Sequence, residues 1–168
     1  MNWQLDPEAV YFPDPEAITP LALAFARLMF AHAAFEDEFR SLQAAITNDP
    51  GFGERRPNQW SARQRPGFTT KLIEKHFPEG LEEVGPITRV LTEVIALCDQ
   101  RNLLAHGEWW YFHPPTSTVT VRSATQWGDK GPENKDFTAA DICSLAETFK
   151  DLKTELYQFR HNIEARTS

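Results

Sequence analysis

Cysteine is scarce in this 168-residue chain: only Cys98 and Cys143 are present, both inside apolar helical patterns. Two cysteines are too few for a disulfide scaffold and fit small core residues in a reducing, cytoplasmic setting, a single disulfide being possible but unneeded. The eight glycines are scattered, with neither a phosphate-binding loop nor a dinucleotide fingerprint, so no cofactor is expected. Paired Cys/His spacing and HExxH are also missing. A metal hydrolase would rest on His106, His113 and Glu108 alone, so no metal is expected either. Basic residues are outnumbered, with 17 Lys and Arg against 24 Asp and Glu for a net charge of −7. Nucleic-acid binding through charge over the whole surface is thereby excluded. The longest apolar stretch, Leu21 to Phe35, is interrupted by Arg27 and His32, and the N-terminal MNWQLDPEAVYFPDPE lacks a signal-peptide pattern. No membrane crossing is expected.

What is present is a globular composition, 41% hydrophobic and 24% charged, enough for one core. Residues 1–18, rich in proline and acids, read as an extended arm, and 19–168 as a single helical domain. Thr19 before Pro20 predicts a helix start, after which Leu21, Phe25, Leu28, His32, Phe35, Phe39, Leu42 and Ile46 form a helical seam. It ends at Asn48-Asp49-Pro50-Gly51. A second seam, Ile87, Leu91, Val94, Cys98, Arg101 and Ala105, runs to a C-capping Gly107. The third starts at a Thr138/Asp141 capping box and uses Ile142, Leu145, Phe149, Leu152, Leu156, Phe159 and Ile163. Residues 67–78 predict a shorter helix using Phe68, Leu72, Ile73 and Phe77. EWWYFH and TVTVRSAT, separated by Pro114-Pro115-Thr116-Ser117, predict a β-hairpin at about 108–125, and 128–136 a polar loop. The fold expected is mainly all-α: an antiparallel up-and-down helical bundle with a β-hairpin inserted after the second long helix.

Polar residues on an apolar seam need a reason, because an unpartnered buried charge costs several kcal/mol. His32 and Arg101 both break the pattern, with Asn102 bordering the same stripe. His32 reads first as a core histidine bonded to a carbonyl or water. Arg101 calls for an acid such as Glu36 or Asp37, a partner chain, or a ligand phosphate. The cluster Glu36-Asp37-Glu38 reads as a solvated face with one member turned toward Arg101 or His32. On an ideal helix His106 shares a side with Asn102 but stands about 140° round from Arg101. The two converge only if the last turn loosens or a second chain supplies one of them. Histidine is also common in a last helical turn for electrostatic reasons alone.

Arg101-Asn102-Leu103-Leu104-Ala105-His106 resembles the motif of HEPN domains, in which an Arg, a polar residue and a later His lie near a helix end within a small helical bundle. The bundle part of the resemblance covers roughly 19–166. It implies metal-independent endoribonuclease chemistry in a cleft between two HEPN domains, hence a homodimer, an RNA substrate, and a toxin or defence role under an inhibitory protein partner. Carried over, His106 is general base or acid in 2′-hydroxyl attack on the phosphodiester. Arg101 holds the phosphate and Asn102 orients His106 or the substrate. Glu108 stands where some toxin members carry a modifiable Tyr.

Residues 54–75 hold Arg55, Arg56, Arg63, Arg65, Lys71 and Lys75 against Glu54 and Glu74, a local +4 interleaved with Trp60 and Phe68. Such a segment tracks a phosphate backbone or is a solvated loop. Arg55, Arg56, Arg63, Arg65 and Trp109 are the substrate-binding candidates, with His32 and Glu36 in support. Trp109, Trp110, Tyr111 and Phe112 of the hairpin cover the cleft, build a dimer interface, stack a base, or simply pack. The competing function is a non-catalytic HEPN-like dimerisation or nucleotide-binding module.

Overall fold

A computed structural model describes residues 14–52, 64–77, 84–123 and 134–167. The chain is mainly helical with one small antiparallel sheet. Its elements run α1 (Pro15–Thr47), α2 (Arg65–His76), α3 (Val84–His106), β1 (Glu108–His113), β2 (Thr118–Arg122), β3 (Asn134–Thr138) and α4 (Ala139–Thr167). It divides into two compact units, the first built from residues 1–29 and 100–146, the second from 30–99 and 147–168.

The helix ends follow from local chemistry. Asp14 caps α1, its Oδ1 accepting the Glu16 N–H at 2.8 Å, with Pro15 in the first helical position. The start expected at Thr19-Pro20 therefore lies inside the helix, and residues 15–18 are not an extended arm. The same cap-then-proline signal occurs earlier in the chain, on a turn too exposed for packing to mark it. Residues 1–13 lie outside the described residues. At its C-terminus, Asn48 takes a left-handed φ of 50°, while Asp49 N–H reaches Ala44 O and Asn48 N–H reaches Ala45 O. At 33 residues α1 extends well beyond Leu21–Phe35 and is long and apolar enough to cross a membrane. A core helix passes the same test.

Within the second unit, Leu42, Ile46, Leu72, Ile73, Val94, Phe149, Leu156 and Ile163 are buried, and Phe35 packs on Phe39 and Phe149. Phe68 of α2 stacks on Phe52 rather than entering the core. Buried Gln43 donates to Thr69 Oγ1 at 2.9 Å. The acidic cluster on α1 is not a uniformly solvated face. Asp37 pairs with Arg40 outside, while Glu38, 8% exposed, accepts from Arg160 Nε at 2.6 Å.

Within the first unit, β1 pairs with β2 and β2 with β3, both antiparallel. The hairpin forms as expected, its turn closing with Ser117 at φ 50°. The third strand does not follow the sequence reading, which made 134–136 part of a polar loop. Asn134 to Thr138 pairs along the whole of β2 and buries Phe137. Five residues with one apolar side chain carry no strand signal of their own; the pairing with β2 makes the strand. Thr138 then closes β3 and caps α4. Its hydroxyl accepts the Asp141 N–H at 3.1 Å, and Asp141 Oδ2 accepts the Thr138 N–H at 2.8 Å and its hydroxyl at 2.7 Å. Those bonds, the hydroxyl first, hold the Asp141 carboxyl below its ordinary value.

Candidate functional site at the C-terminal end of α3

The sheet seats itself on the last turns of α3 through one cross-strand row, Trp109, Val121 and Lys135. Trp109 Nε1 donates to Leu104 O at 2.8 Å, satisfying a carbonyl the helix end leaves open. Lys135 Nζ donates to Gln100 Oε1 at 2.9 Å. At Gly107 an added Cβ would stand 2.4 Å from Leu103 O, 2.7 Å from Val121 Cγ1 and 2.8 Å from Arg122 O. Glycine is required there by the close approach of β2. It is not a left-handed cap, since its φ lies outside that region. Gln100, Leu104 and Gly107 share one side of α3 by helical spacing, and this is the side the sheet occupies.

Asn102 and His106, four residues apart, fall on a different side. α3 stays helical through His106, so of the two routes to convergence the loosening of the last turn does not occur. Instead the half-buried Arg101 turns toward Asn102, Nη1 donating to Oδ1 at 3.0 Å, which carries its charge toward the side that bears His106. Arg101 Nε is buried with no hydrogen-bond partner, and His106 is exposed. The acids proposed for an Arg101 ion pair are engaged elsewhere: Glu36 with Arg65 Nη1 at 3.3 Å, Asp37 with Arg40. Among the described residues Arg101 meets no carboxylate.

The supporting residues form a second group, within the second unit. His32 is 3% exposed, its ring edge-on to Phe149 at 5.1 Å and its Nε2 4.0 Å from Glu36 Oε1. With Phe35, Glu36, Phe39, Arg65, Val94 and Cys98 it lines a cavity of about 10 Å³, room for one water. Of the substrate-binding candidates, Arg65 closes onto Glu36 and is not a free phosphate contact. Arg55, Arg56 and Arg63 lie outside the described residues. Trp109 is held by Leu104 O and packs edge-on to Phe25 at 5.5 Å, which makes it a structural bolt between sheet and helix. Two residues that the sequence reading did not place at the site, Lys135 and Arg122, stand in the same unit as the motif. Lys135 could not be found by pattern because its strand has none.

Among the described residues there is no group of three or more His, Cys, Asp or Glu arranged to hold a metal. No protein-family model, curated protein or solved structure matches the chain.

Proposed function

We propose that the chain is a HEPN-like, metal-independent endoribonuclease working in the cytoplasm as a homodimer, as a toxin or defence component restrained by a protein partner. In this reading the long helices form an antiparallel up-and-down bundle and the Arg101 motifs of two copies face one groove. The observation that carries it is the state of Arg101: a half-buried guanidinium with a bare Nε, no carboxylate partner among the described residues, and an orientation toward Asn102 on the side of exposed His106. A fork of fixed donors with no internal anion suits an external phosphate.

In the reaction, His106 takes the proton from a ribose 2′-hydroxyl. O2′ bonds to the adjacent phosphorus and the P–O5′ bond breaks. The departing O5′ is protonated by the imidazolium of the second copy, leaving a 2′,3′-cyclic phosphate and a 5′-hydroxyl. Arg101 offsets the charge that builds on the phosphoryl oxygens. His106→Ala should lower cleavage of a single-stranded RNA about 100- to 10,000-fold with EDTA present and the dimer mass unchanged. Activity unaffected by that substitution sinks the mechanism.

The alternative, a non-catalytic dimerisation or nucleotide-binding module, is favoured by one observation. α1 leaves Leu23 at 58% and Phe30 at 78% exposure, large apolar side chains that a second copy would cover. A stable dimer with no RNA cleavage at any enzyme concentration selects it.

A further inference from the structure

The first unit treats its charges differently from the second. In the second, Arg40, Arg65, Arg89 and Arg160 each pair with a carboxylate. In the first, among the described residues, Arg101 Nη1 donates to Asn102 Oδ1, Lys135 Nζ donates to Gln100 Oε1 and lies 5.1 Å from the centroid of the Phe137 ring, and the Arg122 guanidinium lies over the Trp110 ring, 4.5 Å from its centroid. Two acids of that unit accept from hydroxyls, Asp136 from Thr120 and Asp141 from Thr138, with the Lys135 charge also acting on Asp141. Glu108 stands opposite Arg122 in register, and Asp136 stands opposite Thr120 on the same sheet face. Among the described residues, Arg101 and Arg122 thus meet no carboxylate at ion-pair distance, in a chain of net charge −7.

The same unit arranges its aromatics in two sets. Phe112, Val119, Val121 and Phe137 are buried on one sheet face. On the other, Tyr111 stands across from Thr120, and β1 carries Trp110, Tyr111 and His113 in series, with Trp110–Tyr111 at 6.0 Å and Tyr111–His113 at 4.7 Å. All three are half-exposed, as is Arg122. The register shift between Trp109 and Tyr111 makes Trp110 the extra residue of a β-bulge, which re-aims its side chain and breaks the edge that an added strand would need. Aromatic planes beside a guanidinium bind stacked bases and their phosphates.

We infer that this face, Trp110, Tyr111 and His113 with Arg122, is a stacking surface for single-stranded RNA. The inference rests on the proposed nuclease reading for its choice of RNA, but the binding itself does not require cleavage. The test is fluorescence anisotropy of a labelled ten-nucleotide oligouridylate on the full chain carrying His106→Ala, which binds without cutting. Adding Trp110→Leu should weaken binding about tenfold, while Trp110→Phe restores most of it. Arg122→Gln should flatten the salt dependence. Thermal melts within a few degrees of the parent show that each variant is folded. A folded Trp110→Leu chain that binds within twofold of its parent overturns the inference, as does an RNA duplex binding equally well or an oligonucleotide that does not bind. The two readings fail separately. Binding through Trp110 without cleavage by the parent chain removes the nuclease and leaves the surface; His106-dependent cleavage indifferent to Trp110 does the reverse.

Discussion

Single residues at the helix–sheet junction hold its geometry. Gly107→Ala would drive a methyl into two carbonyl oxygens and Val121, so a loss of about 1–3 kcal/mol in a urea titration is expected, with the sheet side of the molecule opening first. Asp141 makes a pH-dependent contribution. Its folded carboxyl lies below its ordinary value because the Thr138 hydroxyl and N–H bond the ionised form. That stabilisation is complete above the ordinary value of 3.8 and disappears as pH falls through the lowered one. Thr138→Ala should cost about 1 kcal/mol at neutral pH and reduce this part of the acid dependence, the backbone N–H bond to Asp141 remaining, both readable by circular dichroism melts across pH 2–7. The residues of the motif were legible as types and spacings. The orientation of Arg101 toward Asn102 was not, because a guanidinium on a long stem chooses among neighbours that only the assembled helix presents.

At the scale of elements, the apolar seams of α1, α3 and α4 were plain in the sequence because a 3.6-residue period repeated over many turns leaves few alternatives. Boundaries were harder. α1 starts at Asp14-Pro15, where exposed residues give no apolar period, and β3 has a single buried side chain, Phe137. Trp109 shows how an element changes a residue's meaning: as an aromatic beside the motif it read as a substrate contact, and the hairpin register makes it a donor to the end of α3. Trp109→Phe keeps most of the packing on Phe25 but leaves Leu104 O without its partner. A loss of about 1–3 kcal/mol is expected in chemical denaturation.

Across the whole molecule, the ion pairs among the described residues fall within the second unit. The second unit includes the nearly buried pair of Glu38 and Arg160, the latter also bonded to Glu164 at 2.7 Å. Removing one partner leaves the other uncompensated, so Arg160→Met should destabilise by about 3 kcal/mol, whereas Arg160→Met with Glu38→Leu should recover most of that loss. A double-mutant cycle in guanidinium chloride measures the difference. No such cycle is available to Arg101, which meets no carboxylate among the described residues. Its substitution by Gln should leave stability nearly unchanged while RNA cleavage falls, the dissociation expected of a group held for an external phosphate.

The sequence by itself determined the mainly helical character, the three long amphipathic seams, the hairpin and the Arg101-Asn102-His106 spacing, because each is a local pattern written in neighbours a few positions apart. Only the tertiary structure decided that 134–138 is a strand, that Gly107 answers to a strand pressing on a helix, and that Trp109 locks the fold while Trp110 stands on the half-exposed face. These depend on contacts between segments distant in the chain, where a side chain's role is set by whatever the fold brings against it.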